Sequence, residues 1–337
     1  MKYSQPGVVL LIWLTFALGT SAADIPTRRS VGNTLLSQNG WATVLIENGR
    51  LCMFSPNFGG GSASTSNSNG RKESFSVNNM NGQCRLQYDF ADKDETVHVE
   101  IIDNGTHATV KADPKTGGPQ LDFQQDVKQC SLTAKIGDQT WELHGPTVWH
   151  LALGAPELCR KQLFPLLEML RNGWKPDAVA ADLEDSLFKS AATFTLGDQQ
   201  RWAQAIRELS ANSYSQRHAA FRRLREAGRA IVPYLQNYDV AQLDAEQRTR
   251  IQGLIAEYTG SGTEDTVSAL TIRLLGDRQI WFELLDRDDL AKRTKAAETL
   301  SRLLNEKLDF DPAADAATRK TQLEKLRPRF EAAKTAT

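Results

Sequence analysis

Thr140-Trp141-Glu142-Leu143-His144-Gly145-Pro146-Thr147-Val148-Trp149-His150-Leu151-Ala152-Leu153 is where the chain changes its period. Before Pro146, apolar and polar residues alternate, as along a strand with one buried face. After it, Val148, Leu151 and Leu153 begin a helical texture. Upstream the signals are β. Ala42-Thr43-Val44-Leu45-Ile46 and Arg50-Leu51-Cys52-Met53-Phe54 flank Asn48-Gly49, a pair that accepts the positive φ angles of a type I′ hairpin turn. Strand signals resume at Cys84–Phe90 and Val97–Ile101. They continue at His107–Val110, after Asn104-Gly105, and in the hairpin 131–143 around Gly137-Asp138. The Gly/Ser/Asn run from Phe58 to Gly70 has little to bury and reads as a mobile loop. Downstream, Pro156 opens a helix with Leu163, Leu166, Leu167 and Leu170 on one face and Gly173 at its end. Asp198 and Asp311 read as N-caps, and Ser213 with Gln216 as a capping box. The expected fold class is α+β by segregation. Residues 40–145 form an antiparallel β sandwich or barrel, 146–197 a helical connection, 198–330 a helical domain and 331–337 a tail.

The helical half carries a repeated spacing. Leu209, Arg217, Ala220, Phe221 and Leu224 recur as Leu285, Arg293, Ala296, Ala297 and Leu300, an offset of 76 residues. A polar break precedes each second helix: Ala211-Asn212-Ser213 in one copy, Asp286-Arg287-Asp288 in the other. The inward stripes read Tyr214, Arg217, Phe221, Leu224 and Leu290, Arg293, Ala297, Leu300. An arginine on an apolar stripe needs a partner. Arg217 and Arg293 are therefore expected to be structural, each tied to its own turn, with Asn212, Asp286, Asp288 or Asp289 as candidate partners. This pattern resembles HEAT-like repeats over residues 198–330. The resemblance implies an α-solenoid fragment that presents a surface to a partner, and it implies no chemistry. The layout also resembles that of exported planctomycete proteins.

Lys2, the apolar run from Val8 to Leu18 and Ser21-Ala22-Ala23 read as a secretory signal spanning 1–23, with 24–39 as a polar lead. The run is shorter than the roughly 20 residues needed to span a bilayer. A secreted or periplasmic location follows, with no membrane span after cleavage. In that compartment the four cysteines, Cys52, Cys84, Cys130 and Cys159, are disulfide candidates, their connectivity left open. The net formal charge of −1 offers no global basic field for nucleic acid. Arg222, Arg223, Arg225 and Arg229 read as a solvated face.

No catalytic, cofactor or metal residue is assigned. His144, His150, Glu157 and Cys159 lack the spacing of a common metal site. Gly59-Gly60-Gly61-Ser62-Ala63 lacks the strand-to-helix context of a nucleophile elbow. Asp89, Asp92, Asp94, Glu95 and Glu100 have no spacing that identifies a catalytic pair. Trp41, Trp141 and Trp149 read as core residues before a sugar-stacking platform. The expectation is a non-catalytic binding or scaffolding protein of the cell envelope or exterior, its partner a protein or a glycan. The alternatives are glycan or small-ligand binding through the β domain, and a hydrolase whose residues converge only in the fold.

Overall fold

The computed structural model describes residues 25–29, 34–38, 42–54, 60–80, 83–102, 105–191, 196–236, 238, 243–259 and 264–330. The signal stretch, Trp41 and the tail lie outside the described residues. Two strands, β1 (Thr43–Glu47) and β2 (Arg50–Phe54), make a hairpin through Asn48 (φ +53°) and Gly49 (φ +74°). Eight more strands form one antiparallel meander in chain order. They are β3 (Gly60–Ser66), β4 (Lys72–Met80), β5 (Gln83–Ala91), β6 (Glu95–Ile102), β7 (Ala108–Pro114), β8 (Gln120–Gln125), β9 (Cys130–Ile136) and β10 (Gln139–Gly145). The sheet is open, with β3 and β10 at its edges, rather than closed into a barrel.

Three of these strands escape a reading by periodicity. Residues 60–66, expected as a mobile loop, are edge strand β3, built from glycine, serine, alanine and threonine. In β4, Phe75 and Val77 face the core, but Ser, Asn and Glu dilute the alternation. In β8 only Leu121 and Phe123 carry it.

The helices are α1 (Leu35–Gln38), α2 (Val148–Gly154), α3 (Pro156–Leu158), α4 (Phe164–Glu168), α5 (Pro176–Ser190), α6 (Leu196–Glu208) and α7 (Tyr214–Glu226). Then come α8 (Val232–Gln236), α9 (Ala245–Thr259), α10 (Val267–Leu274), α11 (Arg278–Glu283), α12 (Leu290–Leu304) and α13 (Ala316–Leu326). The period change at Pro146 falls between β10 and α2. A π turn, Cys159–Leu163, joins α3 to α4. Two expected caps move. Asp198 lies inside the first turn of α6, and Asp315 rather than Asp311 caps α13, accepting from the N–H groups of Ala317 and Thr318. Ser213 does precede α7, but its hydroxyl meets Ser215 instead of a backbone N–H.

Elements segregate along the chain but not in space. One apolar cluster joins inward side chains of the sheet (Leu86, Val99, Val110, Leu132) to α2, α4, α5, α10, α11, α12 and α13. α2 presents no outer face: Val148 through Leu153 are all buried. A second cluster, from Trp202 to Leu254, joins α6 to α9. The two copies of the repeated spacing thus sit in different cores. Tyr214 and Leu290, expected on the inward stripe, are exposed at the first positions of α7 and α12.

Candidate functional site

The hairpin β1–β2 lies between sheet and helices, and two buried side chains hold it there. On the sheet side, Gln125 of β8 accepts from the Leu51 N–H at 2.8 Å. It donates back to the Leu51 carbonyl at 3.0 Å and to the Gly105 carbonyl at 2.8 Å. The amide stands in for a missing strand partner, satisfying backbone groups that would otherwise be buried unpaired. On the helix side, the Asp265 carboxylate accepts four bonds. They come from the N–H of Asn48 (3.0 Å), the N–H of Gly49 (2.6 Å), Trp149 Nε1 (2.8 Å) and Arg273 Nη1 (3.2 Å). Its own N–H donates to the Ile46 carbonyl at 2.8 Å. Gly49 is needed for a second reason: a Cβ there would meet Thr147 Cβ at 2.4 Å. Apart from Arg273, eight residues from Asp265, and Gly105, 20 from Gln125, these partners lie 74 to 217 residues from the side chain they meet, and nothing in the pattern marked Asp265 or Gln125.

His150 is the second point where ionisable groups converge. Its Nδ1 meets Thr147 Oγ1 at 2.8 Å and its Nε2 meets Asp277 Oδ2 at 3.0 Å. A hydroxyl, an imidazole and a carboxylate in series have the connectivity of a hydrolytic triad. Here the ring is 4% exposed and inside α2. Asp277 is simultaneously the N-cap of α11, its Oδ1 accepting from the Gln279 N–H (2.9 Å) and the Ile280 N–H (3.2 Å). Burial pushes the Asp277 carboxyl up, but His150 and those two N–H groups outweigh it and leave it below the ordinary value. Glu283, half-buried nearby, is raised by burial against the pull of Arg327, Arg287 and His150. The Thr147–His150–Asp277 series therefore ties α2 to α11. His144 faces the opposite side of the sheet on β10, so the His144/His150/Glu157/Cys159 grouping does not assemble. Among the described residues no group of three or more His, Cys, Asp or Glu side chains could hold a metal ion.

The two repeat arginines make one matching set of contacts. Arg217 donates to the carbonyls of Ala211 (2.9 Å) and Asn212 (3.1 Å), six and five residues back. Arg293 donates to those of Arg287 (2.7 Å) and Asp288 (2.6 Å), again six and five back, and to Pro312 (2.8 Å). The hydrogen-bond partners are backbone carbonyls, not the Asn and Asp side chains expected. A polar break between two helices leaves carbonyls unpaired, and in each copy one guanidinium nitrogen, Nη1, donates to two of them at once.

The expected disulfides are not formed: Cys52, Cys84, Cys130 and Cys159 are four buried thiols. Cys84 on β5 and Cys130 on β9 are four strands apart, about 19 Å at the usual strand spacing, beyond the reach of a disulfide. Cys159 belongs to the π turn and donates to the Leu151 carbonyl, and Cys52 donates to the Arg50 carbonyl. Burial pushes the thiol of Cys52 up to about 11 and those of Cys130 and Cys159 up to about 12. Cys84, Cys130 and Cys159 lie in the apolar cluster that the sheet shares with the helices.

The outer face of the sheet is polar on every strand. One cross-strand row reads Ser64, Ser74, Asp89, His98, Lys111, Asp122, Thr133, Glu142 from β3 to β10. Within it His98 Nδ1 meets Asp89 Oδ1 at 2.7 Å and Lys111 Nζ lies 3.2 Å from Asp122 Oδ2. At the β3–β7 end this face carries a groove of about 750 Å³, whose lining includes Ser64, Ser74, Asp89, Thr96, His98 and Asp113. A triad would need the histidine between hydroxyl and acid. Strand order puts Asp89 between Ser74 and His98, so the imidazole is two strands, about 10 Å, from that hydroxyl. The groove can donate and accept hydrogen bonds, and its strand order does not put Ser74, His98 and Asp89 in the sequence of a triad. Among the described residues no tryptophan lines it. Trp149 is 2% exposed and bound to Asp265, and Trp141 packs toward the core. Among the described residues no helix is long and apolar enough to cross a membrane. Compared with protein-family models, curated proteins and solved structures, the chain matches none.

Proposed function

We propose that the chain is an exported, non-catalytic binding or scaffolding protein of the cell envelope or exterior, with the polar outer face of the sheet as its binding surface. The observation that supports this reading most is the groove of about 750 Å³, a volume suited to a small ligand, whose lining includes hydroxyls, carboxylates, the Lys72 ammonium and one imidazole. Its hydrogen-bonding character favours a hydroxyl-rich ligand, a glycan segment, held by edge contacts rather than by aromatic stacking. The helical half would then act as a rigid support. A HEAT-like solenoid character and a protein partner at the exposed Tyr214 and Leu290 belong to the same proposal in its scaffolding form. The test is a glycan array and an envelope pull-down with the full chain, beside Asp89→Ala and Thr96→Trp, which alter the groove at exposed positions. Selective capture that both variants lose supports the reading. Capture of nothing in either assay, or capture indifferent to both variants, sinks it.

A hydrolase remains as a second reading because His98 beside Asp89 opens onto the groove at hydrogen-bond distance. A paired imidazole can serve as a general base toward water. Turnover of a glycoside or ester panel that His98→Gln abolishes would favour it over simple binding.

A further inference from the structure

Asparagine before glycine is a chemically labile pair, because glycine has no Cβ to shield its nitrogen from the side chain before it. The glycine N–H loses its proton to hydroxide, the nitrogen bonds to the asparagine Cγ, and the Cγ–Nδ2 bond breaks to release ammonia. Water then opens the succinimide ring at one carbonyl to give aspartate, or at the other to give isoaspartate, whose main chain runs through Cβ. The step needs an amide nitrogen free to move onto Cγ, so the fold decides which pair reacts. Six such pairs occur: Asn39-Gly40, Asn48-Gly49, Asn69-Gly70, Asn81-Gly82, Asn104-Gly105 and Asn172-Gly173. Those at Asn48, Asn69 and Asn172 lie wholly among the described residues.

We propose that Asn172 is, of these three, the site of spontaneous deamidation in the folded protein, and that its conversion releases the contacts of Arg171. The Gly49 N–H is held by the Asp265 carboxylate at 2.6 Å, and Gly49 is buried between two paired strands. A bond to a charged acceptor slows release of that nitrogen by about tenfold or more. At Asn69-Gly70 the turn is laced by Asn67. Its carbonyl accepts from the Gly70 N–H (3.2 Å), and its Oδ1 from the N–H groups of Asn69 (3.1 Å) and Arg71 (3.0 Å). Asn172 and Gly173, between α4 and α5, are both exposed, and the Gly173 N–H meets no acceptor among the described residues. A Cβ on Gly173 would touch nothing within 4 Å, so the ring has room to form. The residues on either side are pinned. Arg171 donates to the Val44 carbonyl (3.3 Å) and to Glu264 (2.6 Å), and its guanidinium lies over the ring of Trp174. Trp174 is buried, and its N–H donates to the Arg171 carbonyl at 3.2 Å. Isoaspartate lengthens the chain between these two residues by one carbon. Its carboxylate, next in the chain to Arg171, competes with Glu264 for the guanidinium. The tie from Arg171 to β1 and to the residues before α10 therefore loosens as the protein ages.

Peptide mapping by mass spectrometry tests it on the full chain, aged in mildly alkaline buffer with and without urea. The signal is the small mass gain from replacing the side-chain NH₂ by OH. In the native protein it should build up at Asn172 about tenfold or more faster than at Asn48, with Asn69 between them. In urea the three rates should converge, because the bonds that rank them are gone. Asn172→Gln, at an exposed position, would need a six-membered ring and blocks the reaction. Aged wild type should then unfold at a lower urea midpoint than fresh protein, and aged N172Q at its original one. Native Asn48 keeping pace with Asn172, an Asn172 that stays intact natively while it reacts in urea, or a ranking that persists in urea would each overturn the proposal. So would an N172Q protein that loses as much midpoint on ageing as wild type.

Discussion

Replacing Asp265 with asparagine probes the joint between the two halves with almost no change of shape. Each carboxylate oxygen of Asp265 accepts two bonds: Oδ1 from the Asn48 N–H and Arg273, Oδ2 from the Gly49 N–H and Trp149 Nε1. An amide offers one oxygen. Whichever way it turns, its NH₂ group faces two donors, and those two lose their acceptor. The side chain is 3% exposed, so water is not at hand to replace it. A buried donor left unpaired costs about 1–3 kcal/mol. Two of them, with the Arg273 ion pair weakened, come to about 3–5 kcal/mol. The expected signature is a urea midpoint shifted to lower concentration with the slope unchanged, and a melting temperature lower by about 5–10 °C. Trp149→Phe removes one of the four bonds alone and should cost about 1 kcal/mol beyond its packing loss. If the amide keeps its oxygen toward Arg273, the Trp149 bond is already lost and the double variant should fall short of additive by about 1–2 kcal/mol. An Asp265→Asn protein within about 1 kcal/mol of wild type would refute the argument that this carboxylate carries the joint.

Gln125→Leu, of similar volume, strands the Leu51 N–H and C=O and should lower stability by about 2–4 kcal/mol, read by the same urea titration. Arg293→Ala should cost about 2–4 kcal/mol and Arg217→Ala about 1, since Arg293 is 7% exposed with three carbonyl partners while Arg217 is half-buried with two; equal losses would mean that burial is not what separates the copies. Thiol titration should find four slow cysteines in the native protein and four reactive ones after unfolding without reductant; fewer than four would restore a disulfide. The two carboxylates near His150 should shape the pH profile in opposite senses. Asp277 is held below its ordinary value, so its contribution is present above the unfolded pKa and lost as pH falls through the folded one; Asp277→Asn should destabilise at neutral pH and do less in acid. Glu283 is held above its ordinary value, so ionising it opposes folding once pH exceeds the unfolded pKa; Glu283→Gln should stabilise at neutral pH and lose that gain in acid. Matching pH profiles for the two variants would contradict the assignment.

What the sequence determined by itself is local. Asn48-Gly49 allows one tight hairpin because few residue pairs accept two positive φ angles. Period-2 alternation marks β5, β6, β7, β9 and β10, and its loss at Pro146 marks the passage to helix. The reach of Arg217 and Arg293 to their own turns is also local, spanning five and six residues. β3, β4 and β8 were not legible, since small or polar residues can fill a strand whose stability comes from its neighbours. The candidate site was less legible still. The groove exists because registers place Ser64, Ser74, Asp89 and His98 in one row across four strands, and no spacing along the chain encodes that row. Asp265 meets Gly49 across 216 residues, His150 meets Asp277 across 127, and Gln125 meets Leu51 across 74. A buried polar group is fixed by whichever partner the fold delivers to it, and that partner leaves no periodic mark on the sequence. Only the tertiary structure could decide that Cys84 and Cys130 stay apart and that part of the helical half closes with the sheet over one core while α6–α9 form another.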